Sequence, residues 1–219
     1  MGERAQPPAV VELIVGDDPS SWRAAGFAVD GDTTWVGGVR VRLAGTEDGR
    51  GIRSWSVAGL RSPAGGLDGL PLHDAGDADG RPAARHPNGV VGFDHVVVAS
   101  PDLDRTLAAF TAQGLELRRT RDIGTPDRPR RQLFFWIGEP ILELVGPSSA
   151  TGDGPSRFFG LALTVDDLDA TAAELGDACG RVKDAVQPGR RIATLRHEPL
   201  DMSVPIAFMT AHVDPASNE

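Results

Sequence analysis

Hydrophobic and polar positions follow the same order twice in the second half of the chain. Residues 92–106 align without a gap with residues 157–171, so that His95 corresponds to Gly160 at an offset of 65 (160 − 95). Each copy runs from an apolar strand through an acidic turn containing Asp-Leu-Asp into a helix. Because one such unit leaves an apolar face uncovered, its repetition predicts two modules that face each other across a shared groove.

Around each copy, the alternation of apolar positions predicts a unit of order βαβββ. The second unit is predicted to have strands at 90–98, 115–119, 132–137 and 141–145, and a helix at 103–113. The third unit is predicted to have strands at 158–165, 181–184, 191–196 and 204–209, and a helix at 166–175. Residues 121–130 contain two prolines and one glycine, which predicts a loop.

The first 60 residues predict a weaker version of the same unit. Its strands are predicted at 9–15, 33–36, 39–43 and 52–60, and its short helix at 21–25 follows an acidic start signal that contains a proline. The stretch after it is rich in Gly, Pro, Ala and Asp, which predicts a surface connection in which His73 and His86 are solvated. The expected division is a degenerate module at 1–60, a connection at 61–89, a two-module domain at 90–212 (modules 90–147 and 157–210) and a tail at 213–219.

Composition limits the classes of function. The chain has 219 residues, of which 40% are apolar and 24% charged, as in soluble globular proteins, and its formal net charge of −9 argues against nucleic acid as a partner. No apolar stretch approaches the roughly 20 residues that span a membrane, and the N-terminus lacks the apolar core of a signal peptide. We therefore expect a cytoplasmic protein without membrane contact. The Walker loop, the dinucleotide-binding glycine motif, the Ser nucleophile elbow and the Cys-x-x-Cys pair are absent from the sequence.

Two polar residues in apolar strands are candidates for chemistry. His95 lies in the first strand of the second unit, and Glu143 lies in its last strand. Two interpretations of His95 stay open at this point. It is either a hydrogen-bonded core histidine or a pocket residue that forms an acid–base pair with Glu143.

Basic and aromatic positions predict where a ligand binds. Two basic pairs occupy related places, one in the turn 187–191 and one before the third strand of the second unit. Guanidinium groups can bind a carboxylate or a phosphate through two parallel hydrogen bonds, although solvated turns explain both pairs equally well. Aromatic residues at alternate positions of that third strand point to one face and would line an apolar pocket. The predicted substrate-binding residues are Arg131, Gln132, Phe134, Trp136, Gln187, Arg190 and Arg191.

The duplicated βαβββ unit, with Asp-His-Val-Val-Val at 94–98 in its first strand and Ile-Leu-Glu-Leu-Val at 141–145 in its last, resembles the vicinal oxygen chelate superfamily. That superfamily includes glyoxalase I, extradiol dioxygenases, methylmalonyl-CoA epimerase and the bleomycin- and fosfomycin-resistance proteins. The resemblance implies an α+β fold in which paired βαβββ modules form a cupped mixed sheet around a pocket. It also implies that, in the metalloenzymes of the superfamily, the first and fourth strands of each module hold a divalent ion.

Carried over to this chain, the implied metal ligands of the second unit are His95 and Glu143, whose imidazole and carboxylate suit Mn, Fe, Ni or Zn. The corresponding positions of the third unit are Gly160 and either Ala207 or Phe208, which have no donor in their side chains. The set is therefore incomplete. The residues that could complete it are His197, Glu198, Gln132, Gln187 and, if the first unit packs against the pocket, Glu12.

Three hypotheses of function follow from the resemblance. The first is an enzyme of the isomerase, lyase or dioxygenase type that acts on a small oxygenated or thioester metabolite with an anionic group, with His95 and Glu143 as catalytic residues. The second is a metal-free protein that binds or sequesters an organic ligand, as antibiotic-resistance members do, and the third is a degenerate module kept for structure or for binding a partner. The retained pair favours the enzyme, whereas the lost ligands of the third unit favour the binding protein. The odd number of units leaves a homodimer open.

Overall fold

The computed structural model describes residues 6–61, 66–74 and 84–211, and its strands form two sheets. The smaller sheet contains β1 (Ala9–Val15), β2 (Thr33–Val36), β3 (Val39–Leu43) and β4 (Ile52–Ala58). The larger sheet contains β5 (Val90–Ala99), β6 (Leu117–Thr125), β7 (Arg128–Trp136), β8 (Ile141–Pro147), β9 (Arg157–Val165), β10 (Lys183–Asp184), β11 (Arg191–Thr194) and β12 (Ile206–Thr210). The helices are α1 (Pro19–Ala24), α2 (Leu103–Ala112) and α3 (Leu168–Leu175), with short 3-10 helices at Gly176–Ala178 and Glu198–Leu200.

The larger sheet contains the repeated unit twice, in the strand order β10-β11-β12-β9-β5-β8-β7-β6. The two first strands, β5 and β9, are antiparallel neighbours at its centre, with His95 opposite Ala162 and Val97 opposite Gly160. Each of them also pairs in parallel with the last strand of its own unit, β8 or β12. The predicted α+β fold of paired βαβββ modules in a mixed sheet is therefore confirmed.

Helices α2 and α3 begin at the acidic turns that the sequence predicts as helix starts. The Asp102 carboxylate accepts a hydrogen bond from the backbone N–H of Arg105 at 3.0 Å, and the Asp167 carboxylate accepts one from that of Asp169 at 2.9 Å. An aspartate at this position satisfies N–H groups that have no partner inside the helix. Among the described residues, no helix is long and apolar enough to cross a membrane.

The N-terminal unit contains the expected elements but pairs them differently. Its first strand, β1, pairs in parallel with β3 rather than with the last strand of the unit. The last strand, β4, lies antiparallel on the other side of β1, the side on which β9 accompanies β5 in the larger sheet. In the N-terminal unit, β4 thus lies where the larger sheet has the first strand of the other module. As a result, β1 has a neighbouring strand on each side.

The N-terminal unit packs directly on the larger sheet. The backbone N–H of Val10 donates to the carbonyl of Ile137 at 3.0 Å, and the rings of Trp55 and Phe158 meet edge to face with centroids 5.2 Å apart. Trp55 is fully buried, as is Trp22 of α1. One continuous hydrophobic core therefore joins the two sheets.

The prediction of a loop at 121–130 is wrong, because β6 and β7 form a long hairpin that includes these residues. The two strands pair up to Thr125 opposite Arg128, so only Pro126 and Asp127 form the turn. Gly124 has a φ of +86°, and a Cβ there would lie 2.3 Å from the carbonyl oxygen of Arg128. The glycine that suggested a loop is therefore needed within the hairpin, where the strand bends.

The described parts of the predicted connection are packed rather than solvated. Residues 62–65 and 75–83 of the connection, like the predicted tail, lie outside the described residues. His86 is 7% exposed, accepts a hydrogen bond from the N–H of Ala28 at 3.1 Å and donates one to the carbonyl of Trp35 at 2.9 Å. Burial lowers the pKa of His86, which favours this neutral form. The prediction that His73 and His86 are solvated is thus wrong, because the polar groups of the N-terminal unit bind both.

Candidate active site

One face of the larger sheet encloses two adjoining cavities. We call the first, of about 570 Å³, the arginine compartment, and the second, of about 470 Å³, the apolar compartment. The arginine compartment is lined mainly by Arg118, Arg119, Arg121, Phe134, Trp136, Ile141 and Pro188. The apolar compartment is lined mainly by Val97, Phe159, Ile192, Pro205, Ile206, Ala207 and Met209, together with the polar Gln132 and Glu143. Both compartments share His95, Arg121, Phe134, Val186 and Gln187.

A β-bulge turns two consecutive polar side chains toward the cavities. Neighbouring residues of a regular strand point to opposite faces of the sheet. In the pairing of β5 with β9, however, the register shifts between Phe93 and His95, which lie opposite Leu163 and Ala162. Asp94 is the extra residue, and the bend lets both Asp94 and His95 line the arginine compartment.

His95 is held between two carboxylates. Its Nδ1 lies 2.7 Å from Oδ1 of Asp94, and its Nε2 lies 3.2 Å from Oε2 of Glu143. The Glu143 side chain points to the same face because β5 and β8 run in parallel, with Val97 opposite Glu143. The Nε2 of Gln132 donates to the other oxygen of Glu143 at 2.5 Å. Both nitrogens of the imidazole therefore have carboxylate partners at hydrogen-bond distance.

A buried arginine from the third unit keeps Asp94 ionised. The Arg190 guanidinium, 3% exposed as a residue, binds the second oxygen of Asp94, and its Nε donates to the carbonyl of Thr210 at 2.8 Å. Burial by itself would raise the pKa of Asp94. Hydrogen bonds from His95 and Arg190 outweigh it and lower the pKa to about 2. Since Asp94 stays a carboxylate near neutral pH, it accepts the proton of Nδ1 and leaves Nε2 to face Glu143.

Six of the residues that the sequence predicts for the site line the cavities. They are His95, Gln132, Phe134, Trp136, Glu143 and Gln187. The three predicted substrate-binding arginines do not. Arg131 contacts Asp104 on the helix side of the sheet, Arg190 lies behind His95, and Arg191 forms a two-fold ion pair with Asp169 at 2.7 and 2.8 Å.

Two residues that sequence reasoning missed complete the site. Strict alternation assigns Asp94 to the face opposite His95, and only the bulge brings them together. Arg121 lies in the segment that was predicted as a loop, and in β6 it pairs directly opposite Gln132, so its side chain shares the cavity face. The signal that the sequence offered for Asp94 was its position next to His95 in an otherwise apolar strand.

The donor set does not suit a resident divalent metal. The third unit contributes Gly160, where a Cβ would lie 2.6 Å from the carbonyl oxygen of Pro205, and Ala207, which lines the cavity, whereas Phe208 is buried in the core. Neither cavity position carries a donor side chain, and at Gly160 the backbone of Pro205 leaves no room for one. Among the described residues, no group of three or more His, Cys, Asp or Glu side chains could hold a metal ion, whereas catalytic metal sites ordinarily use three protein ligands.

The residues considered as substitute ligands do not change this result. Glu12 lies in the N-terminal sheet, where it is bound by Arg40 at 3.0 Å and by His73 at 3.0 Å. His197 and Glu198 begin a 3-10 helix that does not line either cavity. Gln187 lines both cavities, but within the part of the chain that the structure describes its side chain makes no hydrogen bond to His95 or Glu143.

Comparison with known proteins identifies the domain around the cavities. Residues 92–196 match the family model "Glyoxalase/Bleomycin resistance protein/Dioxygenase superfamily". No curated protein matches the chain.

The chain is similar at low identity to three solved structures. Methylmalonyl-CoA epimerase from Mycobacterium tuberculosis is 20% identical, with a TM-score of 0.44 over 59% of this chain and 93% of that chain. A mutant 4-hydroxymandelate synthase from Streptomyces coelicolor is 17% identical, with a TM-score of 0.45 over 96% and 73%. A xylose isomerase-like TIM barrel/4-hydroxyphenylpyruvate dioxygenase fusion protein is 13% identical, with a TM-score of 0.59 over 98% of this chain and 51% of that chain. At these identities the likeness concerns the fold alone.

Proposed function

We propose that the chain is an enzyme of the isomerase or lyase type within the Glyoxalase/Bleomycin resistance protein/Dioxygenase superfamily, whose family model matches residues 92–196. Its reaction is the transfer of a proton at a carbon atom next to a carbonyl group of a small oxygenated or thioester metabolite. The observation that carries the proposal is the position of His95, whose two nitrogens contact Asp94 and Glu143 where the two cavities meet. A histidine kept only for core packing would not need to line two cavities.

The arrangement of proton-accepting groups around His95 supports acid–base chemistry. Asp94 is ionised, so it accepts the proton of His95 Nδ1. Nε2 lies 3.2 Å from Oε2 of Glu143, so two groups that can accept a proton lie side by side at the cavity. When the substrate C–H bond breaks, its electron pair moves to the carbonyl oxygen and its proton moves to this pair of groups. Returning one proton to carbon completes the turnover.

The reaction proposed here runs without a metal. His95, Glu143 and Gln132 already contact one another at 2.5–3.2 Å, and the positions of the third unit that match His95 and Glu143 carry no donor side chain. Gln132 keeps a second N–H after binding Glu143, so its amide can contribute a hydrogen bond to the oxygen that becomes negative. The dioxygenase type of the superfamily, which depends on a metal, is therefore the least suited to this donor set.

The test is the exchange of carbon-bound hydrogen in deuterated water, measured by mass spectrometry on a panel of ketones, 2-oxo acids and acyl thioesters. We expect exchange in the wild-type protein and a loss of about 10²–10⁴-fold in His95→Gln, the usual contribution of a general acid–base group. Glu143→Gln should lower it by a smaller factor, because the imidazole remains. His197→Gln is the matched control, since this histidine lies outside the cavities. Exchange that survives in His95→Gln would contradict the proposal.

A second candidate function is the storage or sequestration of an organic ligand without chemistry. The apolar compartment favours it, because most of its lining is aliphatic or aromatic. Under this alternative, a ligand found by screening would bind His95→Gln within a few-fold of its wild-type affinity. Under the enzyme hypothesis, the same substitution removes exchange whatever its effect on binding.

A further inference from the structure

Three arginines of one strand line the arginine compartment. Arg118, Arg119 and Arg121 all belong to β6, the edge strand of the larger sheet. The chain carries a formal net charge of −9, so three guanidiniums on one cavity reverse the average charge of the molecule locally. Such a reversal concentrates anions at the cavity.

A bulge and the strand pairing bring these arginines to the cavity. The register between β6 and β7 shifts after Leu117, so Arg118 is an extra residue and the strand bends there. Arg119 then lies opposite Phe134 and Arg121 opposite Gln132, which places both on the cavity face. Their Cα atoms are two residues apart, which is roughly 6.7 Å in a strand, so two guanidiniums can approach one group from two sides.

Two of the three guanidiniums have no hydrogen-bond or ion-pair partner among the described residues. Arg118 forms an ion pair with Glu116 at 3.1 Å. Neither Arg119 nor Arg121 makes a side-chain hydrogen bond or ion pair with any residue that the structure describes. Arg191 on Asp169 and Arg131 on Asp104 show the opposite case, in which a carboxylate of the protein binds the guanidinium. Arg119 and Arg121 therefore bring two positive charges to the lining of the cavity without a carboxylate partner among the described residues.

The compartment also offers a flat aromatic surface. Trp136 is 53% exposed and lines the same cavity, whereas Trp22 and Trp55 are 0% exposed. His95 and Arg121 line both compartments, so a ligand that fills both passes His95. The cavities thus suit a molecule with an anionic end and an apolar end, with its reactive carbon between them.

We propose that Arg119 and Arg121 form a subsite for a phosphate dianion, and that the substrate is a phosphate-bearing molecule whose apolar part occupies the apolar compartment. Two guanidinium groups carry two positive charges, of which one carboxylate neutralises only one. A phosphate dianion neutralises both and offers three acceptor oxygens. This inference deepens the proposed function, because it names the charge class of the molecule that reaches His95.

The test measures binding of four probes by calorimetry and by the fluorescence of Trp136. The probes are phenyl phosphate, inorganic phosphate, benzoate and phenol, which separate the dianion from the monoanion and from the ring. We expect phenyl phosphate to bind at least about tenfold more tightly than benzoate or phenol. Its affinity should fall as the salt concentration rises, because the subsite is open to solvent.

Variants locate the subsite. Arg119→Gln and Arg121→Gln should each weaken phenyl phosphate by roughly tenfold or more, as expected for a charge-assisted hydrogen bond. Arg128→Gln is the matched control, because Arg128 lies on the same hairpin and is exposed but lines neither compartment. Trp136→Phe should abolish the fluorescence change and keep the calorimetric signal. Equal weakening by Arg128→Gln, or benzoate binding as tightly as phenyl phosphate, would overturn the proposal.

One further variant separates this inference from the proposed function. His95→Gln tests the proposed function alone, because exchange at carbon needs the imidazole, whereas Arg119 and Arg121 stay in place. If phosphate binding holds while hydrogen exchange is unaffected by His95→Gln, the subsite stands and the enzyme hypothesis fails. If exchange depends on His95 and the affinity for phenyl phosphate does not change in Arg119→Gln and Arg121→Gln, the enzyme hypothesis stands and the subsite fails.

Discussion

The buried carboxylate of Asp94, which orients His95, should make the free energy of unfolding depend on pH. Asp94 has a pKa of about 2 in the folded chain, against an ordinary value of 3.8. The unfolded chain therefore binds more protons than the folded chain between these values, and stability rises with pH across that window. The contribution is complete above about pH 4 and is lost as the pH falls toward 2. Since one pKa unit corresponds to about 1.4 kcal/mol, the shift from 3.8 to about 2 is worth about 2.5 kcal/mol.

The substitution Asp94→Asn isolates the contribution of Asp94 to the unfolding free energy, because it keeps the size of the side chain and removes its titration. At about pH 6 the variant should be less stable than the wild-type protein, because the buried Arg190 loses its countercharge, a change that costs about 3–5 kcal/mol in other buried pairs. Between about pH 6 and pH 2.5, the gap between the two proteins should narrow by about 1.5–2 kcal/mol. Urea unfolding at a series of pH values measures the gap directly.

The matched control is Asp169→Asn, which removes the exposed ion pair with Arg191. Solvent screens that pair, so the gap between this variant and the wild-type protein should change little with pH. The other acidic groups titrate equally in all three proteins and cancel in the differences. A gap for Asp94→Asn that is flat between pH 6 and pH 2.5 would refute the argument that Arg190 and His95 hold Asp94 ionised.

Three further predictions concern the backbone and the core. Gly160→Ala should lose roughly 1–3 kcal/mol of unfolding free energy, because its Cβ would meet the carbonyl oxygen of Pro205 at 2.6 Å. Gly124→Ala should lose a similar amount, roughly 1–3 kcal/mol, through its positive φ, and circular dichroism melts would detect both. Trp55→Ala should lose about 3–5 kcal/mol by leaving a cavity between the sheets, which lowers the melting temperature by roughly 2–4 °C per kcal/mol. Melting temperatures equal to that of the wild-type protein would contradict each of these three.

Much of the fold follows from local patterns in the sequence. The repeat that relates His95 to Gly160 predicted two facing modules, because one unit alone leaves an apolar face uncovered, and the first strands of both modules lie side by side in the larger sheet. Asp102 and Asp167 predicted where the helices begin, because an aspartate there satisfies backbone N–H groups. Glu143 could be paired with His95 from its strand position and from the superfamily resemblance.

What the sequence did not predict depends on register and on distant contacts. A bulge such as the one at Asp94 shifts one side chain to the other face, and alternation alone carries no sign of it. Gly124 and Pro126 suggested a loop, although the hairpin accommodates both. Asp68, in the predicted connection, binds Arg105 at 2.7 Å and Ser156 at 2.7 Å. No local pattern indicates a contact between residues so far apart in sequence.

Hydrogen exchange catalysed by chelator-treated protein shows whether His95 and Glu143 act without a metal, provided that the metal content is determined by mass spectrometry on the same sample. We expect exchange at carbon to continue at the wild-type rate after the metal is removed. Added Mn, Fe, Ni or Zn should not increase the rate, because His95 and Glu143 move the proton themselves. Exchange that disappears with the chelator and returns with one of these metals, at near-stoichiometric occupancy, would mean that the reaction depends on a metal.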